Sequence, residues 1–121
     1  MKRIVMIALL SLPMSALAEH MDVIEFELHE GCSFSNYMEI INDFNEWGEN
    51  YGYKTKIAMP LQSGNLTSMY WLGTSADAAT FGKAWDAWRD GQADPDSTPA
   101  KLQARFADCE TNLGRRGYDI Y

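Results

Sequence analysis

Basic residues are scarce in this sequence, and where they occur they are scattered. Ten Lys and Arg stand against 17 Asp and Glu, which gives a formal net charge of −7. Lys2 and Arg3 are the only basic residues before position 19, so residues 19–121 alone carry a charge of −9. A phosphate backbone or an anionic membrane surface is repelled by such a domain. We therefore expect no nucleic-acid partner, and no membrane partner for residues 19–121.

Motifs that identify a known chemistry are also missing. The chain has no glycine-rich phosphate loop, no dinucleotide fingerprint, no Ser-His-Asp arrangement and no His or Cys at zinc spacing. Of its two histidines only His29 lies inside the predicted fold, because His20 falls just before the first predicted strand. We predict neither a metal site nor a cofactor.

Apolar runs long enough to span a bilayer are absent as well. The run over residues 4–12 is well short of the roughly 20 residues that a spanning helix requires. It follows Lys2-Arg3, is broken by a proline, and precedes the small residues of Ala16-Leu17-Ala18. This pattern predicts a signal peptide over residues 1–18 and one domain over residues 19–121, periplasmic or secreted. An uncleaved N-terminal anchor is the alternative.

Cysteine is equally scarce, since Cys32 and Cys109 are the only two. In an oxidising compartment an even pair favours a disulfide bond. Two buried free thiols are the alternative. If the pair is bridged, neither sulfur is available as a nucleophile.

The sequence does contain a regular succession of strand and helix patterns. Residues 23–29 alternate apolar and polar side chains, as in a half-buried strand. From Phe34 the apolar spacing becomes helical and continues to Tyr51, just before Gly52. Similar patterns predict further strands over residues 53–60, 66–73 and 118–121, with a turn at 62–65, and helices over residues 76–88 and 99–113.

This order, β-α-β-β-α-β, predicts an α+β fold of the ferredoxin-like type. It has a four-stranded antiparallel sheet with helices on one face, and its second helix is interrupted at residues 91–98. The crossover rule makes the first two strands parallel, with the third between them. The first helix then begins at the end of the sheet where the last helical segment finishes. Cys32 and Cys109 are therefore expected to meet, although 77 positions separate them.

Two stretches resemble the dimeric α/β-barrel superfamily: Leu28-His29-Glu30-Gly31, and Tyr70-Trp71-Leu72-Gly73-Thr74-Ser75 before an Ala/Trp-rich helix. The chain is most similar in appearance to uncharacterised exported single-domain members. The resemblance implies a homodimer formed through the sheets and a pocket between each sheet and its helices. It does not imply haem degradation: Trp71 could match that group's tryptophan, but residues 76–88 contain no histidine.

Aromatic side chains are the candidates for binding a ligand in such a pocket. Met and aromatic residues together could line a site for a small apolar, aromatic or quinone-like ligand. The predicted ligand-binding residues are Trp47, Tyr53, Tyr70, Trp71 and Trp88. Ordinary core packing is the alternative for most of the aromatic residues, and we assign Phe81 and Trp85 to the core.

His29 is the one candidate for catalysis. At the end of the first strand it could act as a general base. The alternative is a structural histidine bonded to a turn carbonyl. Glu25 and Glu27 share its face, which meets either solvent or a partner sheet.

Three hypotheses of function follow. The first is an exported protein that binds a small ligand between sheet and helices. The second is a cofactor-free oxygenase or isomerase acting on an aromatic substrate. The third is an interaction module that docks a partner on its sheet.

Overall fold

The computed structural model describes residues 17–121, so the predicted signal peptide lies almost entirely outside the described residues. The elements follow one another as β1 (Glu19–Leu28), α1 (Phe34–Glu49), β2 (Lys54–Ala58), β3 (Met69–Ser75), α2 (Ala78–Gly91), α3 (Thr98–Cys109) and β4 (Glu110–Ile120). Within this described part of the chain, no helix is long and apolar enough to cross a membrane.

The strands form one sheet in the order β2-β3-β1-β4, and every neighbouring pair is antiparallel. Because β1 and β2 both run antiparallel to β3, they are parallel to each other, as predicted. The helical segment after β3 is divided into α2 and α3. The expected ferredoxin-like order and the interruption of the second helix are confirmed.

Polar side chains fix where the three helices begin. The side chains of Ser33, Asp77 and Ser97 each accept a hydrogen bond from the backbone N–H three residues further on. After α1, Gly52 has φ of +66°, a conformation that glycine adopts without a steric penalty, and it turns the chain toward β2. The N-cap of α3 is Ser97, the residue directly before the helix.

The core lies between the helices and the inner face of the sheet. Phe26 and Tyr37 are fully buried and their ring centroids lie 4.8 Å apart. Ile41 on α1 and Leu102 on α3 are also buried. The alternation in β1 explains this placement, since the side chains in phase with Phe26 all face the helices.

The last helix is shorter than predicted, and the last strand is much longer. The spacing of Leu102, Phe106 and Cys109 is helical, but its continuation to Leu113 was wrong because α3 ends at Cys109. From Glu110 onward the chain pairs with β1 along its whole length. That ladder satisfies more backbone groups than one further helical turn would.

The segment between β2 and β3 is irregular rather than a tight hairpin. β3 begins at Met69, not at Leu66, and the side chains of Met59, Leu61 and Leu66 are exposed. β1 also begins earlier than predicted, because His20 pairs with Ser75 at the start of the strand.

Cys32 and Cys109 form a disulfide bond, and their Cα atoms lie 5.1 Å apart. This separation is within the range that a disulfide requires. Cys32 precedes α1 and Cys109 ends α3, so the predicted meeting of these two helix ends is confirmed. The bond joins the start of α1 to the end of α3 at one end of the sheet.

Candidate functional site

A cavity of about 210 Å³ lies between the sheet and the helices. Its aromatic lining residues are Phe44, Trp47, Tyr53, Trp71, Phe81, Trp85, Trp88 and Phe106. Four of the five residues predicted to bind a ligand are therefore brought together here. Phe81 and Trp85, which we had assigned to the core, line the cavity and are only partly buried.

Phe44 on α1 lies at the centre of this aromatic wall. Its ring makes edge-to-face contacts with Trp71 at 4.7 Å, with Trp88 at 5.4 Å and with Tyr53 at 5.6 Å between centroids. Such contacts fix the ring orientations more tightly than apolar burial alone. The rings that line the cavity therefore have fixed orientations before a ligand binds.

A hydrogen-bonded chain runs from this wall into the sheet. The Trp71 indole N–H donates to the Tyr53 hydroxyl at 2.7 Å, and that hydroxyl donates to Asp22 at 3.1 Å. Gly73 leaves the space that the Tyr53 hydroxyl occupies. Burial raises the pKa of Tyr53, and the negative charge of Asp22 raises it further. Tyr53 therefore stays protonated, and its hydroxyl links the Trp71 indole to the Asp22 carboxylate through hydrogen bonds.

Asp22 is also the partner of an arginine on β4. The Arg115 guanidinium donates two hydrogen bonds to this carboxylate, at 2.8 Å from Nε and 2.5 Å from Nη2. Asp22 is only 2% exposed, whereas the Arg115 side chain is 38% exposed and lines the cavity. The guanidinium carbon lies 4.1 Å from the centroid of the Trp85 ring, a cation–π contact. Two partners, Asp22 and Trp85, thus hold Arg115 at the cavity wall.

The polar side of the cavity is a stripe along β4, which we define as Glu110, Asn112 and Arg115. Strict alternation would place Arg115 on the opposite face from the other two, because it is an odd number of residues away. A β-bulge at Leu113 inserts one extra residue between the pairings of β4 with β1. This bulge brings all three side chains to the inner face of the sheet.

Glu110 is the one acid of this stripe, and it is partly buried. Burial raises its pKa, while the Tyr37 hydroxyl and the charge of His29 lower it in part. Burial and the nearby Glu110 also raise the pKa of Tyr37. The Tyr37 hydroxyl oxygen and Glu110 Oε2 are both buried, and among residues 17–121 neither has a hydrogen-bonding partner other than the other one. The two groups are close, and both have unused hydrogen-bonding capacity.

Two predicted site residues lie elsewhere. Tyr70 pairs with Ala58 and Glu25, so it faces the side of the sheet away from the helices. His29 is exposed and is not among the residues that line the cavity. Its ring nitrogens lie 2.9 Å from the Asp108 carbonyl and 2.8 Å from the Thr111 hydroxyl, which matches the structural alternative.

Sequence reasoning missed the polar residues of the site. A signal existed for Asp22, since it is in phase with Ile24 and Phe26 and so points inward with them. No comparable signal existed for Glu110 and Arg115, because they had been placed in the last helix and in the segment after it. Within residues 17–121, no three potential ligands are grouped as a metal site requires.

Comparison with solved structures gives matches of low sequence identity. A conserved protein from Methanosarcina mazei Go1 matches with a TM-score of 0.51 and 11% identity, over 88% of this chain and 96% of that one. At this identity the match is evidence of fold alone. This chain has the ferredoxin-like fold.

Two weaker matches have TM-scores below 0.5. SnoaB, a cofactor-independent oxygenase from Streptomyces nogalater, gives 0.49 at 12% identity, over 86% of this chain and 94% of that one. A dimeric ferredoxin-like protein of unknown function from Bacteroides fragilis gives 0.44 at 9%, over 84% and 96%. No protein-family model and no curated protein matches the chain.

Proposed function

We propose that the chain is an exported protein that binds a small aromatic ligand in the cavity between its sheet and its helices. The proposal is supported by the two kinds of side chain that line the cavity. Aromatic rings form one side, and the polar stripe of β4 forms another. Aromatic walls gain free energy by covering an apolar ring, and a few polar groups fix its orientation.

The volume of the cavity limits the ligand to one or two rings. An apolar cavity of about 150 Å³ holds benzene, whereas drug-sized ligands occupy about 300–1,000 Å³. At about 210 Å³ this cavity lies between those limits. Benzofuran, a fused bicyclic ether without a hydrogen-bond donor, is therefore a suitable probe for the aromatic wall.

The test is a titration of ¹⁵N-labelled protein with benzofuran. All four tryptophans line the cavity, so their indole N–H signals report on it directly. We expect saturable shifts of these signals. Gln103→Phe should weaken binding, because Gln103 is exposed at the cavity rim and a ring there would cover the opening. Gln62→Phe, in the exposed loop, is the matched control. Four unchanged indole signals would contradict the proposal.

A cofactor-free enzyme is the second candidate, and Glu110 is the observation that favours it. A partly buried carboxylate with a raised pKa beside an aromatic cavity can take a proton from one carbon of a substrate and return it to another. This isomerisation needs no co-reactant. Turnover that is lost in Glu110→Gln and retained in His29→Ala would support it; loss only in His29→Ala would point to the histidine instead.

The predicted homodimer also stays a proposal, and the outer face of the sheet supports it. None of the helices within residues 17–121 covers this face, where Val23, Tyr70 and Leu72 are only partly buried and lie beside Glu25 and Glu27. Apolar strand positions without cover favour a second sheet packed against them. Light scattering should give twice the mass of the chain. A monomer would favour the interaction module instead.

Export is supported by two observations. The Cys32–Cys109 disulfide suits an oxidising compartment, and β1 begins at Glu19, the first residue after the predicted cleavage site. Native mass spectrometry of protein taken from the periplasm tests this together with subunit number and retained ligand. A mass that still includes residues 1–18 would contradict cleavage.

A further inference from the structure

Arg115 lies between the aromatic cavity and a second pocket. This second pocket has a volume of about 350 Å³ and shares Phe81, Trp85 and Arg115 with the cavity. In the sheet Arg115 pairs with Ile24, so its side chain lies on the inner face. The guanidinium is therefore part of the wall that a ring in the cavity would contact.

The protein uses only part of this guanidinium. Nε and Nη2 donate to the Asp22 carboxylate, which occupies the edge that these two nitrogens form, and the Trp85 ring covers one face. The other N–H groups, both on Nη1 and the outer one on Nη2, form another edge of the same plane and point away from Asp22. Among residues 17–121, Nη1 donates to no acceptor. The side chain is also 38% exposed, so a ligand can reach this unused edge.

The unused edge has the right geometry to bind a carboxylate. Its parallel N–H groups match the two carboxylate oxygens, and such bidentate pairs are strong and directional. Asp22 and Trp85 already hold the guanidinium in place, so little further side-chain entropy is lost when a ligand binds. Because the site is partly exposed, a bound carboxylate keeps some of its hydration, which lowers the desolvation cost.

The charges around this edge also tolerate an anion better than the chain as a whole does. Arg116 lines the second pocket beside Arg115. The acids of the two pockets are Asp22, which is paired with Arg115, and Glu110, whose Oε2 is shielded from solvent. Two arginines therefore balance two acids here, whereas residues 19–121 carry a charge of −9.

We propose that the unused edge of Arg115 binds the carboxylate of an aromatic acid whose ring lies in the cavity. This inference rests on the proposed function, since it assumes that the cavity is occupied by a ring. It narrows the ligand class to aromatic carboxylic acids of one or two rings.

Benzoate and nitrobenzene form a matched pair of probes, because they have nearly the same shape and only benzoate is charged. Arg115→Lys keeps a positive charge beside Asp22 but removes the second edge of donors. At pH 7 this variant should weaken benzoate binding about tenfold or more, which is the contribution of hydrogen bonds to charged groups. Nitrobenzene binding should stay within about twofold of wild type. Shifts of the tryptophan indole N–H signals measure both affinities.

Arg105→Lys is the matched control, because Arg105 also pairs with an aspartate but lines neither pocket. It should leave the affinity for both probes unchanged, and Arg116→Lys should leave benzoate binding within about twofold of wild type. If Arg115→Lys does not fold, the double variant Asp22→Asn, Arg115→Gln removes both charges of the pair together. It should give the same loss of benzoate binding.

The outcomes separate the two proposals. If the wild-type protein binds nitrobenzene but not benzoate, or if Arg115→Lys weakens both probes equally or neither, the role of Arg115 is overturned and the cavity remains a binding site. Loss of benzoate binding in Arg116→Lys alone would assign the carboxylate to Arg116 instead. Binding of neither probe to the wild-type protein would overturn the proposed function, and the role of Arg115 with it.

Discussion

Arg115→Met should destabilise the protein more than Asp22→Asn, although both substitutions break the same ion pair. Removing Arg115 leaves a carboxylate that is 2% exposed with only the Tyr53 hydroxyl as a partner. Leaving a buried charge without its partner costs about 3–5 kcal/mol. Removing the charge of Asp22 leaves a guanidinium that is 38% exposed, which water can solvate. The loss is then about 1.5–3 kcal/mol, the contribution of hydrogen bonds to a charged group.

Urea unfolding at pH 7, followed by tryptophan fluorescence, measures both costs. With a slope of about 1–2 kcal/mol per M for a small domain, Arg115→Met should lower the midpoint by about 1.5 M or more. The double variant should cost less than the two single changes together, by about 1–3 kcal/mol. Arg105→Met is the matched control: it breaks an exposed pair with Asp43 and should cost less than about 1 kcal/mol. Equal single costs, or strict additivity, would refute the reasoning.

Three further predictions concern the backbone, the buried acid and the disulfide. Gly73→Ala should lower the melting temperature, because the added methyl group overlaps the buried Tyr53 hydroxyl at a cost of about 1–3 kcal/mol. Gly82→Ala is the control on α2: the space around it is open, so the better helix propensity of alanine should raise the melting temperature. Burial raises the pKa of Glu110 in the folded protein above the value of an exposed carboxyl group. The free energy of unfolding of the wild-type protein should therefore fall as the pH rises through the interval between these two pKa values. In Glu110→Gln, unfolding measured from pH 4 to pH 7 should lack this fall. Removing Cys32 and Cys109 together should cost about 4 kcal/mol for a separation of 77 residues, and reductant should reproduce the loss in the wild-type protein only.

Element order and topology could be predicted because they depend on patterns that are local in the sequence. The period-two alternation around Phe26 and the helical spacing from Tyr37 to Phe44 both survive in the structure. Once the order of elements is known, the crossover rule restricts the sheet to a few arrangements. The meeting of Cys32 with Cys109 follows from that arrangement alone.

The aromatic residues of the site could also be predicted, but the sequence did not show which of them face the cavity. Trp71 and Tyr53 were selected because aromatic residues are good pocket walls, and both line the cavity. Tyr70 was selected for the same reason, yet it faces away from the helices because it is one residue out of phase with Trp71. Composition identifies the residue type, whereas the phase of the strand decides which neighbour reaches the cavity.

The polar half of the site depends on a feature that no local pattern shows. Leu113 continues a helical spacing from Cys109, so the sequence favours a helix where the structure has a bulged strand. The competing gain is the hydrogen-bond ladder with β1, which is a property of a distant segment. Even a correct strand assignment would have placed Arg115 and Glu110 on opposite faces, because alternation separates them. The bulge changes that phase, so a single extra residue decides whether Arg115 lies on the same face as Glu110.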